Sequence, residues 1–525
     1  YWGNYEKRYP DMEEIIENGQ SDRISNLKKD NIVVWLDFDA YAYISFGIIS
    51  ALSKLDKSDL IGIVATKQDM SFFQNQHIVE FKKLFYYPEC YIKKSSFDID
   101  TLKNYEKKYD LHLWLDAYTE RSFYKYWTEF HKFTKEEIFL IIQNSISFFI
   151  DILEKFNPKL LLMQIPGENI SNLLLYRLAK KMGIKVLFPN PVYMHNKIVI
   201  SDNIAIKEIS DNYKKLISNF DDSSLIYDEG FIKKQNFVET LKIQSSYRHG
   251  ASSFSQKINH YINRLSTDPE PIYKNIRKTR LKMIKYKFQN HFEIKKRKEF
   301  LDDNSIKAIE DSKFIYFPLQ SEPEAKILVT SPFYSNQVTL IENIAKSIPI
   351  EYILYVKEHP IQKEKLWRTV EDYKKIIALP NVKLVHPSVS SLELISKSHM
   401  IISIAGGTGF EALFYKKPVL LFTDEYYDEL SAVTKIKTLT ELPNYIRNAL
   451  QDFKANNKEL NALMQVLNEE AISVPYFSIL KDGITVSSIQ RYEHNFNLTT
   501  RYFERFYSIH KDHFELIAQT IYSKL

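Results

Sequence analysis

Short apolar runs alternate along the chain with longer stretches in which apolar residues recur every three or four positions. Residues 31–37 (NIVVWLD) and 60–65 (LIGIVA) are continuous apolar runs of strand length, as expected of strands covered on both faces. Residues 135–156 (KEEIFLIIQNSISFFIDILEKF) carry helical spacing instead. Residues 158–165 predict a strand that ends at Pro166-Gly167. A helix over 170–182 follows, stopped by Gly183, and 184–188 reads as the next strand. Strand, helix and strand with short breaks form a βαβ unit, which implies a parallel sheet flanked by helices. The second half repeats the alternation, with strands at 314–319, 352–356, 382–385, 400–404 and 418–422 and helices near 335–347, 361–377, 390–397 and 409–415. Between the halves lie a polar, Ser-rich break at 245–256 and a basic helical stretch at 257–300, and 455–525 reads as mostly helical. The pattern predicts an α/β protein of two Rossmann-like doubly wound domains facing across a cleft, with a helical linker and a helical C-terminal tail. The expected division is 1–245, 246–310, 311–455 and 456–525. In such folds a ligand sits at the carboxyl ends of the strands.

Composition changes this picture in three places. The 525 residues include only 12 glycines, where the usual ~7% would give about 37. Three of them are Gly406, Gly407 and Gly409, so the cluster is unlikely to be chance in a chain that otherwise avoids glycine. The net charge of +5 is small, which argues against nucleic acid as a partner, but 271–300 holds eleven Lys/Arg against Glu293 and Glu299. The single cysteine, Cys90, excludes an internal disulfide and a Cys-rich zinc site and fits a reducing, cytoplasmic setting. No 18-residue apolar run predicts a membrane span. The chain begins Tyr1-Trp2-Gly3 without Met, as a trimmed fragment would.

The chemistry is expected mainly in the second half. Gly406-Gly407-Thr408-Gly409 lies at a strand-to-helix turn, where backbone amides and the helix dipole favour a phosphate or diphosphate. The bland alternative is a tight turn with no ligand. The spacing is neither the dinucleotide fingerprint nor a Walker A loop, because the acidic partner and the Lys-Ser/Thr are missing. Glu411 follows in the first helical turn, either as a dipole-favouring surface carboxylate or as an acceptor for ribose hydroxyls. Lys357-Glu358-His359-Pro360 ends another strand, so His359 and Lys357 point toward a phosphate unless His359 is only packed there. His386 ends the next strand, and Ser388, Ser390 and Ser391 after it suit a helix N-cap. In the first half, a general base must come from a carboxylate at a strand end. Glu168 after Pro166-Gly167, and Asp37 and Asp39 after the first strand, are the candidates, with Asp116 weaker; each could equally be a solvated loop carboxylate or a cap. Asp37-Phe38-Asp39 matches two metal-binding D-x-D motifs only superficially, and no metal or other cofactor is required.

Residues 317–422 resemble the carboxyl-terminal domain of GT-B glycosyltransferases, and among them the capsule polysaccharide biosynthesis family, which includes Kdo transferases. The residues that carry this are Pro318-Leu319-Gln320, Lys357-Glu358-His359-Pro360, Asn381-Val382-Lys383-Leu384, and Gly406 through Leu413 leading to Lys417-Pro418-Val419. The resemblance implies a bacterial, metal-independent glycosyltransferase. Its donor would be a nucleotide sugar, CMP-linked as with the family's Kdo transferases, with His359-Pro360 on the donor phosphate and Glu411 on the ribose. The acceptor would be a surface or capsular glycan, free or lipid-linked. One departure is Lys416, where the family usually has Gly. The rival readings are a nucleotide-sugar 2-epimerase, a polyol-phosphate transferase of teichoic-acid type, and a non-catalytic assembly scaffold. Apolar residues spaced through 271–300 among the lysines add an expectation of peripheral contact with the inner membrane face, against the simpler reading of an interdomain helix.

Overall fold

The computed structural model describes residues 31–92, 96–224, 226–235, 273–359, 368–493 and 495–525. The Ser-rich break at 245–256, the first part of the linker and Pro360 lie outside them.

The first sheet contains β1 (Asn31–Leu36), β2 (Asp59–Val64), β3 (Lys83–Tyr86), β4 (Leu160–Leu162), β5 (Lys185–Pro191) and β6 (Lys197–Ser201). The second contains β7 (Phe314–Pro318), β8 (Ile353–Lys357), β9 (Val382–Val385), β10 (Met400–Ser403), β11 (Val419–Leu421) and β12 (Val433–Lys435). A short last strand, β13 (Ile472–Ser473), returns to the first sheet. The orders are β13-β6-β5-β4-β1-β2-β3 and β12-β11-β10-β7-β8-β9. The second sheet is parallel throughout, and in the first only the β5/β6 and β6/β13 pairs are antiparallel.

Alternation along each strand divides the core into layers. In β1, Val33 and Trp35 face the helices Lys135–Phe156 and Ile170–Lys181, while Ile32, Val34 and Leu36 face the helix Ala40–Leu55. In β7, Phe314 and Tyr316 face one side, Ile315 and Phe317 the other. Both faces of each sheet are covered, which is why the strands read as unbroken apolar runs.

Two segments cross between the domains. The helices Tyr476–Glu493 and Lys511–Ser523 pack on Ala40–Leu55 of the first domain. Conversely, Ile209, Tyr213 and Ile232 join the apolar cluster built around Phe410, Leu463 and Leu467 of the second. The packing units are therefore not contiguous in sequence, and the linear division at 245 and 455 is crossed from both sides.

Strand order locates the sites. β1 neighbours β2 on one side and β4 on the other; β7 neighbours β8 on one side and β10 on the other. At such reversals the loops leaving adjacent strands part in opposite directions and open a crevice at the carboxyl ends. Asp37 and the Pro166–Glu168 turn flank the first crevice. Gln320 and the glycine cluster flank the second.

Candidate active site

At the second crevice, the chain after β10 turns sharply at Gly406, whose φ of +98° is costly for any residue with a Cβ. The turn is held from three sides. Gln320 Nε2 donates to the Ala405 carbonyl (3.0 Å), Gly406 N–H donates to Glu425 Oε1 (2.7 Å), and Tyr427 O–H donates to the Gly406 carbonyl (2.7 Å). The helix Gly407–Phe414 starts directly after it, with no side chain capping its amides. The other glycines serve close approach. A Cβ on Gly407 would lie 3.2 Å from the Tyr193 ring, and one on Gly409 would lie 2.5 Å from the Tyr427 hydroxyl. The helix ends at Lys416 with φ of +53°, in the left-handed region, so the glycine usual in the family at this position has a conformational reason.

Glu425, missed by the sequence reading, is the hub behind this turn. It is buried and also accepts from Tyr193 O–H (2.9 Å) and Lys326 Nζ (2.9 Å). Tyr193 comes from the first domain and stacks on Tyr426, with ring centroids 5.4 Å apart.

β8 delivers three consecutive polar residues to the same edge. Lys357 is buried and donates to Ser391 Oγ (2.7 Å); burial pushes its ammonium down to about 8, against the opposing pull of Glu411. Glu411 is pushed up to about 7 by burial, partly offset by Lys357. The two groups thus sense each other across the crevice wall. Glu358 points the other way, where Arg368 (2.5 Å) and the Tyr373 hydroxyl hold it. Its Oε1 also accepts the His359 N–H (2.7 Å), which fixes the backbone from which His359 projects, half-buried. His386 is pinned at the outer edge of the sheet, Nε2 to Asp302 (3.0 Å) and Nδ1 to Ser388 (2.6 Å). Ser390 caps the following helix, as expected.

At the first crevice, Asp37 is buried and its carboxyl is raised by burial. It accepts from Phe38 N–H (2.8 Å) and Asn172 Nδ2 (3.3 Å). Asn172 Oδ1 in turn accepts Gly167 N–H (2.9 Å), so Asp37 and the Gly167–Glu168 turn are one assembly. Glu168 is 48% exposed and paired with Arg121 (3.2 Å). Asp39 goes elsewhere: its carboxylate pairs with Arg491 (2.5 Å) of the returning C-terminal helix. Asp116 is fully buried beside Arg177 (3.0 Å), its carboxyl pushed up to about 6 by burial. The sequence reading also missed Glu120. Burial alone would raise it, but Lys274, Tyr273 and two backbone amides outweigh that and hold its carboxyl low.

The two crevices meet along residues 320–323. Arg121 Nε donates to the Pro323 carbonyl (3.2 Å) while its Nη groups hold Gly167 and Glu168. Buried Glu322 accepts from Lys125 (3.0 Å) and Tyr126 (2.9 Å) of the first domain and from Arg368 (3.2 Å) and Gln337 (2.6 Å) of the second. Burial alone would raise this carboxyl, but Arg368, Lys125 and Tyr126 outweigh it and hold the group below its usual range. Beside Asp37 and Arg121 in sequence, Phe38 and Ser122 line a cavity of 550 Å³ closed on its other side by Tyr286, Lys287 and Asn290. Among the described residues, no three His, Cys, Asp or Glu side chains gather as a metal site.

Residues 213–469 match the family of capsule polysaccharide biosynthesis proteins. No curated protein matches the chain. Among solved structures, the β-Kdo 2,7-transferase of Thermosulfurimonas dismutans KpsC is 14% identical, with 60% of this chain and 78% of that one covered at a TM-score of 0.30. The β-Kdo 2,4-transferase of the same KpsC is 9% identical, with 58% and 79% covered at 0.31. The Methanocaldococcus jannaschii UDP-GlcNAc 2-epimerase, solved with UDP-GlcNAc and UDP, is 14% identical, with 84% and 99% covered at 0.26. The matched stretch spans the second domain, the crevice with Gly406, and the helices that pack behind it. Over these residues the chain resembles the capsule polysaccharide biosynthesis proteins, set in an α/β fold of two largely parallel, Rossmann-like sheets.

Proposed function

We propose that the protein is a glycosyltransferase that moves a sugar from a nucleotide donor to a surface-polysaccharide acceptor. The observation that carries this reading is the meeting of two strand-order crevices along one loop, residues 320–323, with anion-binding features on one side and carboxylates on the other. On the donor side, the free first-turn amides of Gly407–Phe414 and His359 take the donor phosphate, and Lys357 adds charge. Glu411, coupled to Lys357, accepts the ribose hydroxyls. The resemblance favours a CMP-linked donor. His386, held by Asp302, lies at the rim and orders the β9 turn rather than the phosphate.

On the acceptor side, the 550 Å³ cavity receives the glycan. In an inverting transfer, the acceptor O–H gives its proton to Glu168 as its oxygen bonds the anomeric carbon. The bond to the phosphate oxygen breaks, and the charge left on the nucleotide is met by the helix amides and His359. Asp37 acts through Asn172, positioning the Glu168 turn, and Asp39 has no part in the step. In this reading the helix amides and His359 meet the leaving phosphate without a metal. A nucleotide donor and a lone buried cysteine suit the cytoplasm.

Thermal shift with CMP, UDP, GDP and CDP tests the donor site. Stabilisation by at least one, lost in His359→Ala, is expected; no response to any of the four would end the donor-site reading. Incubation with donor alone separates the nearest rival, since epimerisation without acceptor would make the protein a 2-epimerase.

A further inference from the structure

The helix Arg280–Asn304 turns one face to the protein and carries apolar residues on another, which none of the described residues buries. Met283, Tyr286 and Asn290 turn inward, the first two lining the cavity with Asn290, and Arg297 and Leu301 continue that face as buried residues. On the opposite side, Leu281 is 80% exposed and Phe288 and Phe292 are each 65% exposed. At 100° per residue, Leu281, Lys285, Phe288 and Phe292 fall within about 60° of arc. Two exposed phenylalanines and a leucine on one stripe are costly in water unless something covers them.

The charges on this half of the helix say what covers it. Lys285 lies within the stripe and Lys282 beside it, Lys287 turns to the cavity, and from Arg280 to Phe292 the sequence contains no acidic residue. Acidic residues begin at Glu293, and the ion pairs Lys295–Glu299 and Lys298–Asp302 lie beyond the stripe's apolar part. A protein partner for a phenylalanine stripe does not require lysines beside it with no acidic residue among them, whereas an anionic bilayer favours them: the rings enter the interfacial layer while the ammonium groups stay among the headgroups. No helix among the described residues is long and apolar enough to cross a membrane, so a lipid contact would be a surface one.

We propose that the Leu281–Phe292 stripe docks the protein on an anionic lipid surface. The inference stands apart from the donor reading, and its test reads lipid binding rather than transfer. The full chain is floated with vesicles of phosphatidylcholine alone or with one-third phosphatidylglycerol. Binding to the anionic vesicles is expected, weak binding to the neutral ones, and a marked loss on raising salt from about 0.1 to about 0.5 M, which roughly halves the screening length. Lys282→Ser/Lys285→Ser should weaken binding by roughly thirtyfold, at about fivefold per lysine near the surface. Leu281→Ser/Phe288→Ser/Phe292→Ser should weaken it at least about tenfold with an unchanged melting temperature, since none of the three joins a core cluster among the described residues. Equal binding to both vesicle types, or wild-type binding by both variants, would overturn the proposal. So would a concentration-dependent dimer in sedimentation that the triple serine variant abolishes, because the stripe would then be covered by a second copy.

Discussion

Gly409→Ala separates a glycine kept for packing from one kept for backbone conformation. The new Cβ would sit 2.5 Å from the Tyr427 hydroxyl, roughly 1 Å inside ordinary contact. Tyr427 cannot swing aside. It is fully buried, and its hydroxyl is anchored to the Gly406 carbonyl at 2.7 Å. Overpacking of this kind costs about 1–3 kcal/mol, and alanine's better helix propensity returns at most about 1. A net loss of about 1–2 kcal/mol is expected. Tyr427→Phe alone removes one hydrogen bond, a loss of about 1 kcal/mol. In the double variant the offending oxygen is absent, and the nearest neighbours of the Cβ are Val419 Cγ1 at 3.2 Å and the ring carbon Cζ at 3.3 Å. The double variant should therefore be no less stable than Tyr427→Phe, a coupling of at least about 1 kcal/mol. Urea midpoints at matched m-values measure it. Losses that simply add would refute the reasoning, because the clash would then not be what keeps residue 409 a glycine. Gly406→Ala provides the contrast. Its nearest neighbour, Gln320 Oε1, stands at 3.3 Å, so its penalty comes from φ and no change at Tyr427 should relieve it.

Two further outcomes follow from the same edge of the sheet. Glu411 has its folded pKa raised from 4.5 to about 7, so the unfolded chain releases that proton first and the group destabilises the fold as pH rises between those values. Glu411→Gln should gain on the wild type by about 1–2 kcal/mol from pH 4.5 to 7 and stay level above, allowing for the side chain's partial exposure; a difference that does not change with pH would contradict the burial of this carboxyl. Lys416→Gly should raise stability by about 0.5–1 kcal/mol in thermal melts by relieving the left-handed residue at the helix end, and a lower melting temperature would show that the lysine side chain does something there besides close the turn.

The apolar runs were enough to place the core of both sheets, because a strand covered on both faces must be apolar at every position and nothing else in a short segment reads that way. β1, β2, β5 and β7 to β11 lie where the pattern predicts, with ends shifted by at most three residues, while β4 shrinks to Leu160–Leu162. The glycine cluster, His359 and Glu411 were visible for a similar reason: they lie just past a strand end or in the first turns of the helix that follows it, where position in sequence implies position in the crevice. Gly406 also shows its constraint locally, since φ belongs to one residue. Glu425, Arg121, Glu120 and Glu322 gave no such signal. Each is an ordinary charged residue whose role comes from partners far along the chain: Glu425 from Tyr193 and Lys326, Glu322 from Lys125 and Arg368. The same distance decided between Asp37 and Asp39, two residues apart in sequence. Backbone geometry after β1 sends one to Asn172 in the crevice and the other to Arg491 on the returning tail. Periodicity reports how much of a residue's surroundings is apolar. Which charge meets which depends on chain segments hundreds of residues apart folding back together, and that is settled only in the tertiary structure.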